Sequence, residues 1–163
     1  MIPLVIREIN EGETTLAYAA IHALRPHLRN AEEFAHRVDT TMRPTGYRLV
    51  GAFDDLAPLA VTSDAPLPSA SVPHALAVMG FRYGDNLARG THVYIDDLST
   101  LPEARGRGYG AALLAWAREE AARLGCAQLH LDSGVGLDRM SAHRLYFNSG
   151  YRISSHHFAR TLD

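Results

Sequence analysis

Residues 93–124 set an apolar strand-like stretch, an Arg/Gly turn and a long Ala/Leu helix-like stretch in unbroken order. At the centre stand Arg105, Gly106, Arg107, Gly108, Tyr109 and Gly110. Glycines alternating with larger residues let the backbone curl tightly enough to aim several amide N–H groups one way. A helix starting there adds the positive end of its dipole. The stretch therefore predicts an anion seat, most naturally for a phosphate. Residues 127–131, Ala-Gln-Leu-His-Leu, then alternate as a strand. A strand, a helix and a second strand in this order demand a parallel pair joined by a right-handed crossover.

The rest of the chain supplies the remaining elements. Residues 4–9 are a short β-branched run ending at Asn10-Glu11-Gly12, which predicts a strand and a turn. Thr14 or Thr15 is placed to cap a helix with Ala17, Ala20, Ile21, Leu24 and Leu28 on one face, and Pro26 should end or kink it near Leu24. Asn30 with Glu33 three residues on opens a second helix, in which Phe34, Val38 and Met42 share a side and which stops before Pro44-Thr45-Gly46. Strands are expected over 47–53 and 74–83, with a turn at Gly84-Asp85-Asn86, and between them 54–73 reads as a long connection rich in Pro, Ala, Ser and Asp. Residues 92–98 form the strand before the Arg/Gly turn, and the helix after it carries the stripe Leu113, Trp116, Ala117, Ala121 and Leu124 up to a left-handed stop at Gly125. After a loop marked by Gly134 and Gly136, a final helix is expected over 139–148 and a terminal strand over 151–161. The expected fold class is α/β (α+β), one domain over 1–163 built on a mixed, mostly antiparallel twisted sheet with a central parallel strand pair and flanking helices.

Composition narrows the function. With 163 residues, 47% hydrophobic and 21% charged, the chain suits one core, and a net charge of -2 gives no global field for nucleic acid or an anionic membrane. No basic stripe with interleaved aromatics points to nucleic acid. The lone Cys126 cannot form an intramolecular disulfide or a thiolate metal site. No apolar run is long enough to span a bilayer, and Arg7 and Glu8 fall where a signal peptide needs its apolar centre; a cytoplasmic location is expected. Nine histidines invite a metal reading, but the neighbours His156 and His157 would point to opposite faces of a strand, and no zinc-site spacing occurs.

The turn lacks the Gly-Lys-Ser/Thr of a P-loop, and it falls after the middle of the chain rather than at a first strand-helix unit, which disfavours a dinucleotide-binding domain. Arg105-x-x-Gly108-x-Gly110, following Asp96-Asp97-Leu98-Ser99-Thr100, resembles the acetyl-CoA-binding motif of the GCN5-related N-acetyltransferases. Ala142-x-x-x-Tyr146-x-x-x-Gly150-Tyr151 resembles the second landmark of that family, a late helix carrying a tyrosine. The resemblance implies that the backbone of Leu98, Ser99 and Thr100 runs beside the pantetheine arm. It also implies that the amides of Arg105, Gly106, Arg107, Gly108, Tyr109 and Gly110 hold the pyrophosphate. Thr100 stands where the family usually has Val, and Arg139, also expected at the cofactor, where it often has Asn. Acetyl-CoA as cosubstrate, a small-molecule or peptide amine as acceptor and a possible homodimer follow from the same likeness.

Acetyl transfer to an amine needs a base, a polarised carbonyl and an acid. A lysine-like amine has a pKa of about 10.4, so its proton must leave before attack. By strand alternation His92, Tyr94, Asp96 and Leu98 share one side, and Val93, Ile95 and Asp97 the other, up to any bulge. The run Tyr-Ile-Asp-Asp-Leu is similar to Tyr-Leu-Glu-Asp-Phe in the polyamine acetyltransferases of the family, where the acidic pair lies at the amine. Asp96 is thus the first candidate base, Asp97 the second, and His92, acting through water, the third. Tyr146 matches the family tyrosine and is the candidate acid for the departing thiolate. A backbone N–H near Leu98 is the candidate for polarising the thioester carbonyl. His143 shares the helical face of Tyr146, while Trp116 and Cys126 read as core. The competing reading is a catalytically idle acyl-CoA sensor or interaction domain of the same fold.

Overall fold

The computed structural model describes residues 4–54 and 74–162. The expected connection over 54–73 lies outside them except for Asp54, the last residue of a strand. Five strands, β1 (Leu4–Ile9), β2 (Tyr47–Asp54), β3 (Ala77–Asn86), β4 (Gly90–Thr100) and β5 (Gln128–Leu131), lie side by side in sequence order. The first three pairings are antiparallel and β4–β5 is parallel, as the crossover rule requires. The helices are α1 (Tyr18–Leu24), α2 (Ala31–Arg37), α3 (Tyr109–Arg123) and α4 (Met140–Asn148).

Two adjacent residues of β2 show how the layers form. Arg48 forms an ion pair with Glu120 of α3, whereas Tyr47, pointing the other way, donates to Asp97, which Arg25 at the end of α1 also holds. The sheet is therefore covered on one face by α3 and on the other by α1 and its neighbours. Phe81, fully buried, meets Trp116 of α3 edge-on at 5.7 Å between ring centres; burying such a side chain contributes about 2–3 kcal/mol.

Local chemistry explains most element ends. The Asn30 side chain accepts from the Glu33 amide at 2.8 Å and starts α2, and α1 stops at Leu24, two residues before Pro26. The expected Thr14 cap is not made. Thr14 is buried and donates to Asp39 at 2.6 Å, so residues Thr14–Ala17 form a 3-10 turn that leads into α1. Residues Val38–Met42 continue α2 as a π turn. The expected strand at 74–83 is displaced to Ala77–Asn86 and extends through Gly84.

The terminal strand expected over 151–161 does not form. Residues 152–162 adopt neither helix nor strand and are exposed, with Ile153 and Phe158 open to solvent. Five positions apart, these two apolar side chains fall on opposite faces of a strand, so the segment lacks the single apolar face that fixes a register.

Candidate active site

The parallel pair β4–β5 ends early. Its register runs from His92↔Gln128 to Ile95↔Leu131 and no further, while β4 stays paired with β3 out to Thr100. The cause is a β-bulge. Phe81 lies opposite Ile95 and Gly80 opposite Asp97, so Asp96 is the extra residue in β4. The bulge bends β4 away from β5, and past Ile95 its β5-facing edge carries backbone groups without a strand partner among the described residues.

The bulge also overturns the expected alternation. Asp96 accepts from Arg82 at 2.8 Å, Arg82 lies over the Tyr47 ring, and Tyr47 donates to Asp97 at 2.9 Å. Both carboxylates thus belong to one cluster rather than to opposite faces. The cluster depends on Gly80, where a Cβ would stand 1.8 Å from the Tyr47 hydroxyl oxygen. Asp97 is saturated by Tyr47 and by Arg25 Nε at 3.0 Å, and it links β2, α1 and β4.

Between the parted strands lies a cavity of about 260 Å³. Asp96 and Leu98 line it from β4, Asp132 and Ser133 from the end of β5, and Arg139 and Tyr146 from the α4 side. The candidate base and the candidate acid therefore face the same space. Burial raises Asp96 above the ordinary carboxylate value although the guanidinium of Arg82 pulls it down. Burial also raises Tyr146, against the charge of Arg139 and polar contacts from Arg139 and Ser133. A buried, protonated phenol is suited to donate a proton rather than to lose one at rest.

The Arg/Gly turn adjoins this wedge. Gly106 and Gly108 have φ of +74° and +87°, conformations that side chains disfavour, and Gly108 caps α3 without any side-chain oxygen. The first amides of α3 are left for an external acceptor. At Gly110 a Cβ would meet Leu145 of α4 at 3.0 Å and Thr100 Oγ1 at 3.9 Å, so the absence of a side chain seats the turn against the end of β4 and against α4. Not every motif side chain faces outward. Tyr109 is buried and donates to Asp54, and Arg107 forms an ion pair with the same carboxylate at 3.2 Å, which leaves these two positions to act through their amides. Arg105 is exposed and reaches the Thr100 carbonyl at 3.4 Å. Ser99 is buried, and Thr100 half-buried.

Several expectations about histidines resolve into packing. His92 is buried at the far end of β4, four residues and about 13 Å of strand from Asp96, with its ring on Gly84 and against His130. It lines neither the wedge nor the cavity beside it, and the third candidate base falls away. His143 bonds to the Gly134 carbonyl at 2.8 Å and ties α4 to the preceding loop. No group of three metal-ligating side chains occurs among the described residues, and no helix among them is long and apolar enough to cross a membrane. Burial raises the Cys126 thiol, which suits an inert partly buried side chain.

Residues absent from the sequence reading complete the site. Arg25, Tyr47, Arg82 and Asp132 come from four separate elements or their ends, and no spacing in the sequence unites them. Tyr94 is pushed up to about 12 by burial first and then by its bond to Asp132.

The fold is shared with solved acetyltransferases, among them a GNAT family acetyltransferase of Staphylococcus aureus with a TM-score of 0.71 and 18% identity over 98% of both chains. The model of the acetyltransferase (GNAT) family matches residues 73–151, just under half of the chain. An aminoalkylphosphonate N-acetyltransferase of Salmonella typhimurium is 40% identical over 68 residues, a stretch spanning 42% of this chain and 43%, less than half, of that one. The uncharacterized N-acetyltransferase YhdJ of Bacillus subtilis is 28% identical over 94% of both chains. An aminoglycoside N-acetyltransferase solved in complex with coenzyme A shares the fold, with a TM-score of 0.71 and 14% identity over 98% of this chain and 95% of that one.

Proposed function

We propose that the protein transfers the acetyl group of acetyl-CoA to a primary amine of a small molecule or peptide, by direct attack while both substrates are bound. One observation carries this reading: Asp96 and Tyr146 line a single cavity opened by the parting of β4 and β5, next to a glycine turn that starts α3 without a side-chain cap. The turn and the first turn of α3 accept the pyrophosphate, and the free edge of β4 at Leu98, Ser99 and Thr100 takes the pantetheine arm as an added strand. Arg139, beside Tyr146, faces the same donor.

Asp96, directly or through water, takes the proton of the ammonium. The neutral nitrogen attacks the thioester carbon, whose oxygen is stabilised by a β4 amide near Leu98. As the C–S bond breaks, Tyr146 gives its proton to the departing thiolate. The products are the acetylated amine and free coenzyme A. The raised pKa of Asp96 makes it a stronger base than a solvated aspartate.

The competing reading, a sensor that binds acyl-CoA without turnover, leaves Asp96 and Tyr146 without a shared task. A thiol-release assay with acetyl-CoA and a panel of primary amines separates the two. Release with at least one amine is expected. Tight coenzyme A binding with no release for any amine would overturn the enzyme reading.

A further inference from the structure

A second cavity, of about 290 Å³, lies beside the first, and Arg25 lines both. The second is floored by apolar side chains, Ile21, Phe34, Val38 and Met42 among them. Its charged groups are unequal. The carboxylate of Asp97 is already held by Arg25 and Tyr47, whereas Arg37, at the end of α2, makes no ion pair or side-chain hydrogen bond among the described residues. His27 lines the same wall and has no such partner either. The first cavity offers a carboxylate to an amine, and the second leaves the Arg37 guanidinium, with His27 beside it, over an apolar floor.

Resting on the acetyl-transfer reading above, we propose that the acceptor is an amine bearing an acidic group, a carboxylate or a phosphonate, across a short aliphatic spacer. The amine lies at Asp96, the spacer passes Arg25 onto the apolar floor, and the anion is taken by Arg37 with His27 beside it. A di- or polyamine would set a second ammonium against Arg25 and Arg37, a repulsion the cavity has no free carboxylate to relieve. This separates the site from the polyamine enzymes that Tyr94-Ile95-Asp96-Asp97-Leu98 resembles. Arg37 is solvent-exposed, so its attraction is screened and sets preference rather than absolute selection.

The test compares four amines of similar length at fixed ionic strength: 4-aminobutanoate, 3-aminopropylphosphonate, butylamine and putrescine. The two acid-bearing amines should exceed butylamine in kcat/KM by about tenfold, and butylamine should exceed putrescine by a similar factor, with the differences in KM. Comparison of the first two distinguishes a carboxylate from a phosphonate site. Arg37→Glu should collapse or invert the ratio of acid-bearing amine to putrescine, and Arg37→Gln should bring it toward one. Equal kcat/KM for all four amines in the wild type, or a ratio unmoved in both variants, would overturn the proposal. Calorimetric titration of the same amines into the coenzyme A complex reads the preference without turnover. Should no amine be acetylated, acid-bearing amines that bind more tightly through Arg37 uphold the acceptor site while the enzyme reading fails. Equal or absent binding of all four overturns it.

Discussion

The two ends of the proposed active site are built from different materials. The donor end is backbone: the φ of Gly106 and Gly108, the uncapped amides of α3, and the edge of β4 that β5 leaves open. The acceptor end is side chain: Arg25, Arg37, Tyr47 and Asp97, gathered from α1, α2, β2 and β4. A backbone site needs a local run of permissive residues, so it leaves a compact trace in the sequence and tolerates change around it. A side-chain site is assembled by long-range packing and can be altered one residue at a time.

This contrast can be broken at the donor end first. Gly108→Val forces a branched side chain into a φ of +87° and places it over the helix amides, so coenzyme A binding measured by calorimetry should weaken by at least about a hundredfold. Retained binding would remove the turn as the phosphate seat. Where the two ends meet, Tyr146→Phe should lower kcat by about a hundredfold and leave coenzyme A affinity within about twofold. Unchanged kcat would dismiss the phenol as the acid.

The carboxylates sharpen the comparison further. Asp96→Asn should reduce kcat/KM by roughly tenfold or more and abolish the acidic limb of the pH profile. In the wild type that limb should lie above 3.8, because burial raises Asp96 and activity is lost as pH falls through the raised value. Asp97→Asn should instead act mainly on structure, lowering the melting temperature as Tyr47 and Arg25 lose their shared partner, and should move the acidic limb down without abolishing it, because the Asp97 charge contributes to raising Asp96. An equal loss of the acidic limb in both variants would erase the distinction between them.

The smallest effect belongs to neither end. Glu120 of α3 is held down to about 2, first by its bonds to Arg123 and then by Arg48. Its folded value is lower than its unfolded one of 4.5, so its stabilisation is complete above that pH and is lost as pH falls toward 2. Glu120→Gln should cost about 2 kcal/mol at pH 7 by thermal unfolding, with the gap to the wild type closing in acid and with kinetics unaffected.

The same division explains what could be read from the chain before its structure. The strand, turn and helix over 93–124, the Asn30 cap and the stop before Pro26 are local, and each appears where the residues point. Tyr146 and Asp96 were legible as candidates, and the structure brings them to one cavity. Alternation along β4 failed at a single residue, because nothing in Tyr-Ile-Asp-Asp-Leu announces a bulge; its signal lies across the sheet, where Gly80 makes room for Tyr47. His92 looked available on the same count and is packed against Gly84 instead. The terminal segment reads as a strand by its alternation of apolar and polar residues, but Phe158 falls out of step with Ile153, and both are exposed. Arg25, unremarked in the sequence, gains its place only through Asp97, 72 residues away.

The extra residue in β4 carries one more consequence. The gap between β4 and β5 is fixed by a count of residues along one strand and not by the side chains that line it. Single substitutions inside the wedge change its chemistry and leave its shape; a deletion at Asp96 would restore an even ladder and let the two strands run on together. For the proposed acetyl transfer, space for the donor is thus present before the donor arrives, and little of the binding energy is needed to open it.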